Sequence, residues 1–154
     1  MYFMKKFFIT LFAICAITTT VSAQNYRTGA GLFIDFGDGS TLVGPHVKHF
    51  FTNQIAGQGL VLFGSGITAL GADVSYNAII PGAQGLSWNI GLGPQAWIGK
   101  NNTIFALRPA VGLEYKIPGA PLNIGLDWRP AWILTDDSDF EAGRFGLALR
   151  YTFR

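Results

Sequence analysis

The sequence is poor in the residues that soluble proteins use to face water and that enzymes use for chemistry. Of its 154 residues only 13% are charged, one is cysteine and two are histidine. A lone cysteine excludes a disulfide scaffold. Low charge beside 49% hydrophobic residues excludes a disordered chain. Long apolar runs are also missing, apart from one at the extreme N-terminus, and this excludes a bundle of membrane helices of about 20 residues each. The chain has no Gly-x-Ser-x-Gly elbow, no phosphate loop and no metal-ligand pair.

The N-terminal run has its own explanation. Lys5 and Lys6 precede the unbroken apolar stretch Phe7 to Ile17, and Val21-Ser22-Ala23 follows it. This order matches a secretory signal, whose apolar core runs about 7–15 residues; a membrane anchor would need nearly twice that length. The expected division is a signal peptide over 1–23, cleaved after Ala23, and an outer-membrane β-barrel domain over 24–154. Cys15 follows Ile14, where a lipoprotein signal needs a small residue, so it belongs to the leader. Without the leader the basic residues fall from 11 to nine against nine acidic ones, and the net charge is zero. No basic patch remains to bind nucleic acid.

The rest of the chain alternates with period 2, the signature of strands. From Tyr26 to Phe36 the even positions are apolar (Tyr26, Ala30, Leu32, Ile34, Phe36), and from Thr41 to Phe51 the odd ones are (Val43, Val47, Phe51). Ile55 to Gly64 has no clear phase. From Ile67 to Ala78, Leu70, Ala72, Val74 and Tyr76 oppose Gly71, Asp73, Ser75 and Asn77. Four cleaner segments follow: Leu86–Ile98, Phe105–Tyr115, Leu122–Trp132 and Phe145–Phe153. Turn signals separate them at 37–40, 64–66, 100–102 and 118–121.

Eight such strands fit either a soluble sandwich or a membrane barrel, and the chemistry of the faces decides. A soluble sandwich shows water a charged face. Here the non-apolar face is half glycine with scattered charges, while the apolar face carries large aromatics, as for a barrel with lipid outside and a polar lumen. In lipid every backbone amide needs a partner, so the sheet must close. The expected fold is therefore all-β: an eight-stranded antiparallel up-and-down transmembrane β-barrel. A barrel of eight strands is just wide enough for side chains to fill it, so no open pore is expected.

The inward parity collects Arg27, Asp35, Lys48, Asp73, Arg108, Glu114, Asp127, Arg129, Arg144 and Arg150. Buried charges are costly unless paired, so these read as a lumenal ion-pair network, a structural plug or a proton or ion relay. Inward glycines leave room for the long arginines. Trp88, Tyr115, Trp128, Trp132, Tyr151 and Phe153 fall on the outward parity and form an aromatic girdle at the membrane interface. Trp97 has inward parity and fills the lumen. Pro45, Pro94, Pro109 and Pro130 interrupt strands with outward parity, where they imply opened or bulged pairing or a gated lateral opening.

The loop Thr135–Ala142 holds Asp136, Asp137, Asp139 and Glu141, a solvated surface or a weak cation site. His46 and His49 have opposite parity on one strand and cannot face one site. His46 points inward with Ser40 and Asp38 nearby in sequence, a poor basis for catalysis. No catalytic residue, metal site or cofactor is expected.

Four stretches resemble small outer-membrane β-barrel proteins of the Bacteroidetes type. They are His46-Val47-Lys48-His49-Phe50-Phe51, Gly112-Leu113-Glu114-Tyr115-Lys116-Ile117-Pro118, the segment Pro121 to Ala131 with its Asp127-Trp128-Arg129-Pro130, and the closing Leu149-Arg150-Tyr151-Thr152-Phe153. The resemblance implies an eight-stranded barrel in a bacterial outer membrane and no assigned reaction. The last strand also resembles the signal read by the barrel-assembly machinery, which ends in an aromatic residue; here Arg154 follows Phe153. The expected function is a non-enzymatic structural or surface role, with outer-membrane lipid and the assembly machinery as partners and a monomer as the state. A small lipid-modifying enzyme and a soluble secreted β-sandwich that binds a ligand are the alternatives.

Overall fold

The computed structural model describes residues 26–135 and 139–153. The expected signal peptide with Cys15, the acidic residues Asp136 and Asp137 and the terminal Arg154 lie outside these residues. The described chain is all β: β1 (Thr28–Gly37), β2 (Leu42–Phe50), β3 (Ile55–Gly64), β4 (Ile67–Ile79), β5 (Leu86–Ile98), β6 (Thr103–Lys116), β7 (Leu122–Trp128), β8 (Ala131–Ile133), β9 (Asp139–Glu141) and β10 (Arg144–Phe153). Each of β1 to β6 pairs antiparallel with the next in sequence, and β10 pairs with both β7 and β1. The sheet is thus a closed up-and-down barrel, and only β9, paired with β8 alone, has an open side among the described strands.

Two of its eight staves are interrupted. β8 continues β7 past Arg129-Pro130 and pairs with β6 in unchanged register, Ala106 to Ile133 as Leu113 to Leu126. β9 continues β10, but Ala131 pairs with Glu141 where the register of Trp128 with Phe145 would place residue 142. One extra residue is therefore inserted at Ala142-Gly143, a bulge. Followed from partner to partner, Phe36 at the top of β1 leads through Phe145, Trp128, Val111, Ile90 and Tyr76 to Ile55 at the foot of β3. The strands therefore tilt strongly, as closing eight strands requires.

The prolines open the ladder without bulging it. No pairs form between Val43–Phe63 and His46–Leu60 beside Pro45, or between Gly71–Gln95 and Val74–Leu92 beside Pro94, yet the register is the same on both sides of each gap. Pro109 and Pro130 flank the break between β7 and β8. Pro130 is buried despite its outward parity. The register shift sits instead at Ala142-Gly143, where no proline stands. At the break, the Arg108 guanidinium donates to the carbonyls of Arg129 (2.7 Å) and Pro130 (3.2 Å), so backbone acceptors freed from the ladder stay satisfied.

Gly93 shows why the non-apolar face is rich in glycine. It precedes Pro94, and a Cβ there would run into the Ala72 carbonyl and the Asp73 backbone. Gly93→Val should cost about 1–3 kcal/mol, the usual range for overpacking, read as a lower urea midpoint of the folded barrel. At the β3–β4 turn Ser65 and Gly66 have φ of 51° and 73°, the left-handed pair of a two-residue type I′ hairpin.

The two walls have opposite chemistry. Inside, Arg108 is 1% exposed and Asp35 is fully buried; outside, Leu126 is 55% and Val74 58% exposed. The termini end carries Tyr76, Trp88, Tyr115, Tyr151 and Phe153 on the outer wall, with Tyr76 on Trp88 and Tyr151 on Phe153 at ring-centroid distances of 5.7 and 5.0 Å. The opposite end carries Phe36, Phe63, Phe105, Trp132, Phe140 and Phe145, with Phe36 stacked on Phe145 at 6.0 Å. Trp128 lies just below them and donates its Nε1–H to the Ala142 carbonyl at 2.6 Å. Between the two rings the wall is aliphatic, with Leu70, Val74, Val111, Leu113, Leu126 and Leu149 all exposed.

Candidate functional site

The charged lumen is the only part of the chain where several ionisable side chains converge among the described residues, and it is layered. In the upper layer Asp35 from β1 accepts from Arg108 of β6 and Arg144 of β10, each at 2.8 Å. In the middle layer Arg129 reaches Asp73 of β4 at 3.0 Å and Asp127 of β7 at 3.3 Å. In the lower layer Glu114 of β6 accepts from Lys48 of β2 at 2.8 Å and Arg150 of β10 at 2.6 Å. Each layer is a triad with one shared central charge. The net charges therefore alternate along the axis as plus one, minus one, plus one. Opposite charges then face one another between layers as well as within them.

Neutral groups complete the layers. Tyr26 donates its hydroxyl to Glu114 at 2.7 Å, Lys48 donates to Asn77 at 2.7 Å, and Arg150 donates to Asn123 at 2.7 Å. Gln95 accepts from Arg108. The Arg150 Nε–H is received by Nε2 of His46 at 2.8 Å, and the His46 ring meets Phe33 edge-on at 5.3 Å. A cavity of about 20 Å³ between the lower and middle layers is bordered by Lys48, Asp73, Glu114, Asp127, Arg129 and Arg150. It has room for about one water.

Nine of the ten residues with expected inward parity do point into the barrel. Arg27 does not. It precedes β1, is exposed and makes no ion pair among the described residues, while its neighbour Tyr26, expected outside, is 5% exposed and bonded to Glu114. Both precede β1, and the Arg27 backbone donates to the Phe153 carbonyl on one side at 3.1 Å while its carbonyl accepts from Phe50 on the other at 2.8 Å, which breaks the alternation there; Tyr26 turns in to seal the lower end against Phe50. Of the expected girdle residues, Trp88, Tyr115, Trp128, Trp132, Tyr151 and Phe153 all stand on the outer wall, Trp88 half-covered by Tyr76.

Part of the lumen was missed by reading the parity of polar residues. Beside the upper triad part of the interior is apolar, a cluster of Phe33, Leu42, Leu60, Leu62, Ala69 and Ala148 with Ile67 and Trp97 packed against it. Arg129 lies over the Phe33 ring at 4.9 Å and Arg108 over Trp97 at 5.5 Å. His46 is buried and bonded to Arg150 rather than to Ser40 or Asp38, which line the barrel mouth. Among the described residues no group of three or more His, Cys, Asp or Glu is placed to hold a metal ion. No known family matches the chain, and no curated protein matches it either.

Proposed function

We propose that the chain is a monomeric outer-membrane barrel with a structural or surface role, whose wall lies in lipid and whose lumen is a salt-bridged plug. The observation that carries this reading is the inverted solvation of the two walls. An aliphatic belt bounded by two aromatic rings faces outward, while cations and carboxylates pair within. In water such a wall would leave a large contiguous apolar surface exposed; in a bilayer the belt meets hydrocarbon and the rings meet the interfaces. Residues 1–23 act as a cleaved signal, and the strand ending in Phe153 serves the barrel-assembly machinery.

The connections at the mouth support a quiet surface rather than an adhesin, since 38–41, 65–66, 99–102 and 134–138 are all short. The bond from Arg150 holds His46 inside, away from lipid at the rim, and supports a non-enzymatic reading. The test is a carbonate wash of cell envelopes with a gel of boiled and unboiled samples. The protein should stay in the pellet and migrate differently once boiled. Release into the carbonate supernatant would overturn the reading.

A further inference from the structure

The mouth opposite the termini holds a feature that a plug does not need. Below the rim lies a cavity of about 230 Å³ lined by Leu42, Ile67, Trp97, Ile104 and Ile133, inward-facing residues of five different strands. A water-filled mouth would be floored with polar groups; this floor is apolar, and it rests on the upper ion layer. Its rim carries Asp38 and Glu141, which make no ion pair and no side-chain hydrogen bond among the described residues.

Arg144 also borders the cavity, but its guanidinium is committed elsewhere. One end holds Asp35 at 2.8 Å, and the other donates to the Asp38 and Ser40 carbonyls at 2.7 Å. Of the ionisable residues lining the cavity, Asp38 and Glu141 are negative and Arg144 is positive, so the lining carries one net negative charge.

We propose that this mouth binds a small aromatic amine. The ring lies on the aliphatic floor against the Trp97 side chain, and the protonated amine sits between Asp38 and Glu141, balancing the charge of the lining. The cavity exceeds the roughly 150 Å³ that accepts a benzene ring, which leaves space for a short alkylamine arm.

The test uses the protein labelled with 5-fluorotryptophan in a neutral detergent, with phenethylamine as the probe and 2-phenylethanol and 3-phenylpropionate as its uncharged and anionic analogues. The ¹⁹F resonance lost in Trp97→Phe identifies Trp97. That resonance should shift saturably with phenethylamine, while those of Trp88, Trp128 and Trp132 on the outer wall stay in place. Asp38→Asn with Glu141→Gln should weaken the amine about tenfold, the scale of two partly exposed ion pairs, and leave the alcohol unchanged. Binding of all three probes alike, a Trp97 signal that never moves, or four signals moving together through detergent partitioning would overturn the proposal.

Discussion

Leu126→Arg should destabilise the barrel in phospholipid vesicles by about 2–4 kcal/mol, whereas Leu122→Arg, on the same face of the same strand, should cost only about 0–1 kcal/mol. Both side chains are exposed, at 55% and 47%. They differ in depth: Leu122 opens β7 at the termini end, and Leu126 stands at the level of the aliphatic belt. The cross-strand partners of Leu126 are Leu113 and Leu147. In the proposed bilayer a guanidinium placed there meets only hydrocarbon and must stretch past Ile124 or Trp128 to reach water. Equilibrium urea unfolding of the folded protein in vesicles measures both variants against the parent. On a water-facing wall both substitutions would fall within about 0.5 kcal/mol, so two equally small effects would take the wall out of lipid.

The outward half of the structure was legible from alternation alone, because one face of most strands is apolar without interruption. β3 was not legible. Its inward Leu60 and Leu62 join the apolar upper cluster while Val61 and Phe63 face outward, so both parities are apolar and no period survives. Phe33 was overlooked for the same reason: an aromatic on a face otherwise of glycine and charge breaks the expected chemistry of the lumen. Tyr26 and Arg27 exchange roles because the Arg27 backbone bonds Phe153 and Phe50 on opposite sides, a local break in alternation that carries no sequence signal.

Which charges face inward could be read from parity, but which of them meet could not. Asp35 and Arg108 are 73 residues apart and Lys48 and Glu114 66 apart. Their contact depends on the tilt and closure of the ring, which no local pattern encodes. The triads also depend on glycine. A Cβ on Gly125 would lie 3.2 Å from the Arg150 guanidinium and 3.5 Å from Glu114, so the inward glycines are the space through which arginines cross the lumen. The prolines announced lost pairs correctly, whereas the bulge at Ala142-Gly143 carries no comparable signal.

Glu114→Gln should be the most damaging conservative substitution in the lumen, at about 3–5 kcal/mol, the cost of leaving buried charges without their partner. Glu114 is 2% exposed and serves three donors, Lys48, Arg150 and Tyr26. Glutamine keeps the shape but removes the only anion of the lower layer, leaving two cations. It also aims an amide N–H₂ at Lys48 or Arg150, which can only donate. Lys48→Met should cost less, because Glu114 keeps Arg150, and the double variant should recover part of the loss. A coupling of about 1–3 kcal/mol in that double-mutant cycle is expected for residues in one network, read from urea midpoints. If Glu114→Gln instead costs under about 0.5 kcal/mol while the boiled-versus-unboiled gel shift is retained, water must reach and screen the layer. The triads would then line a hydrated relay, and the plug would have to be sought in the apolar cluster of Phe33, Leu60 and Leu62 beside the upper one.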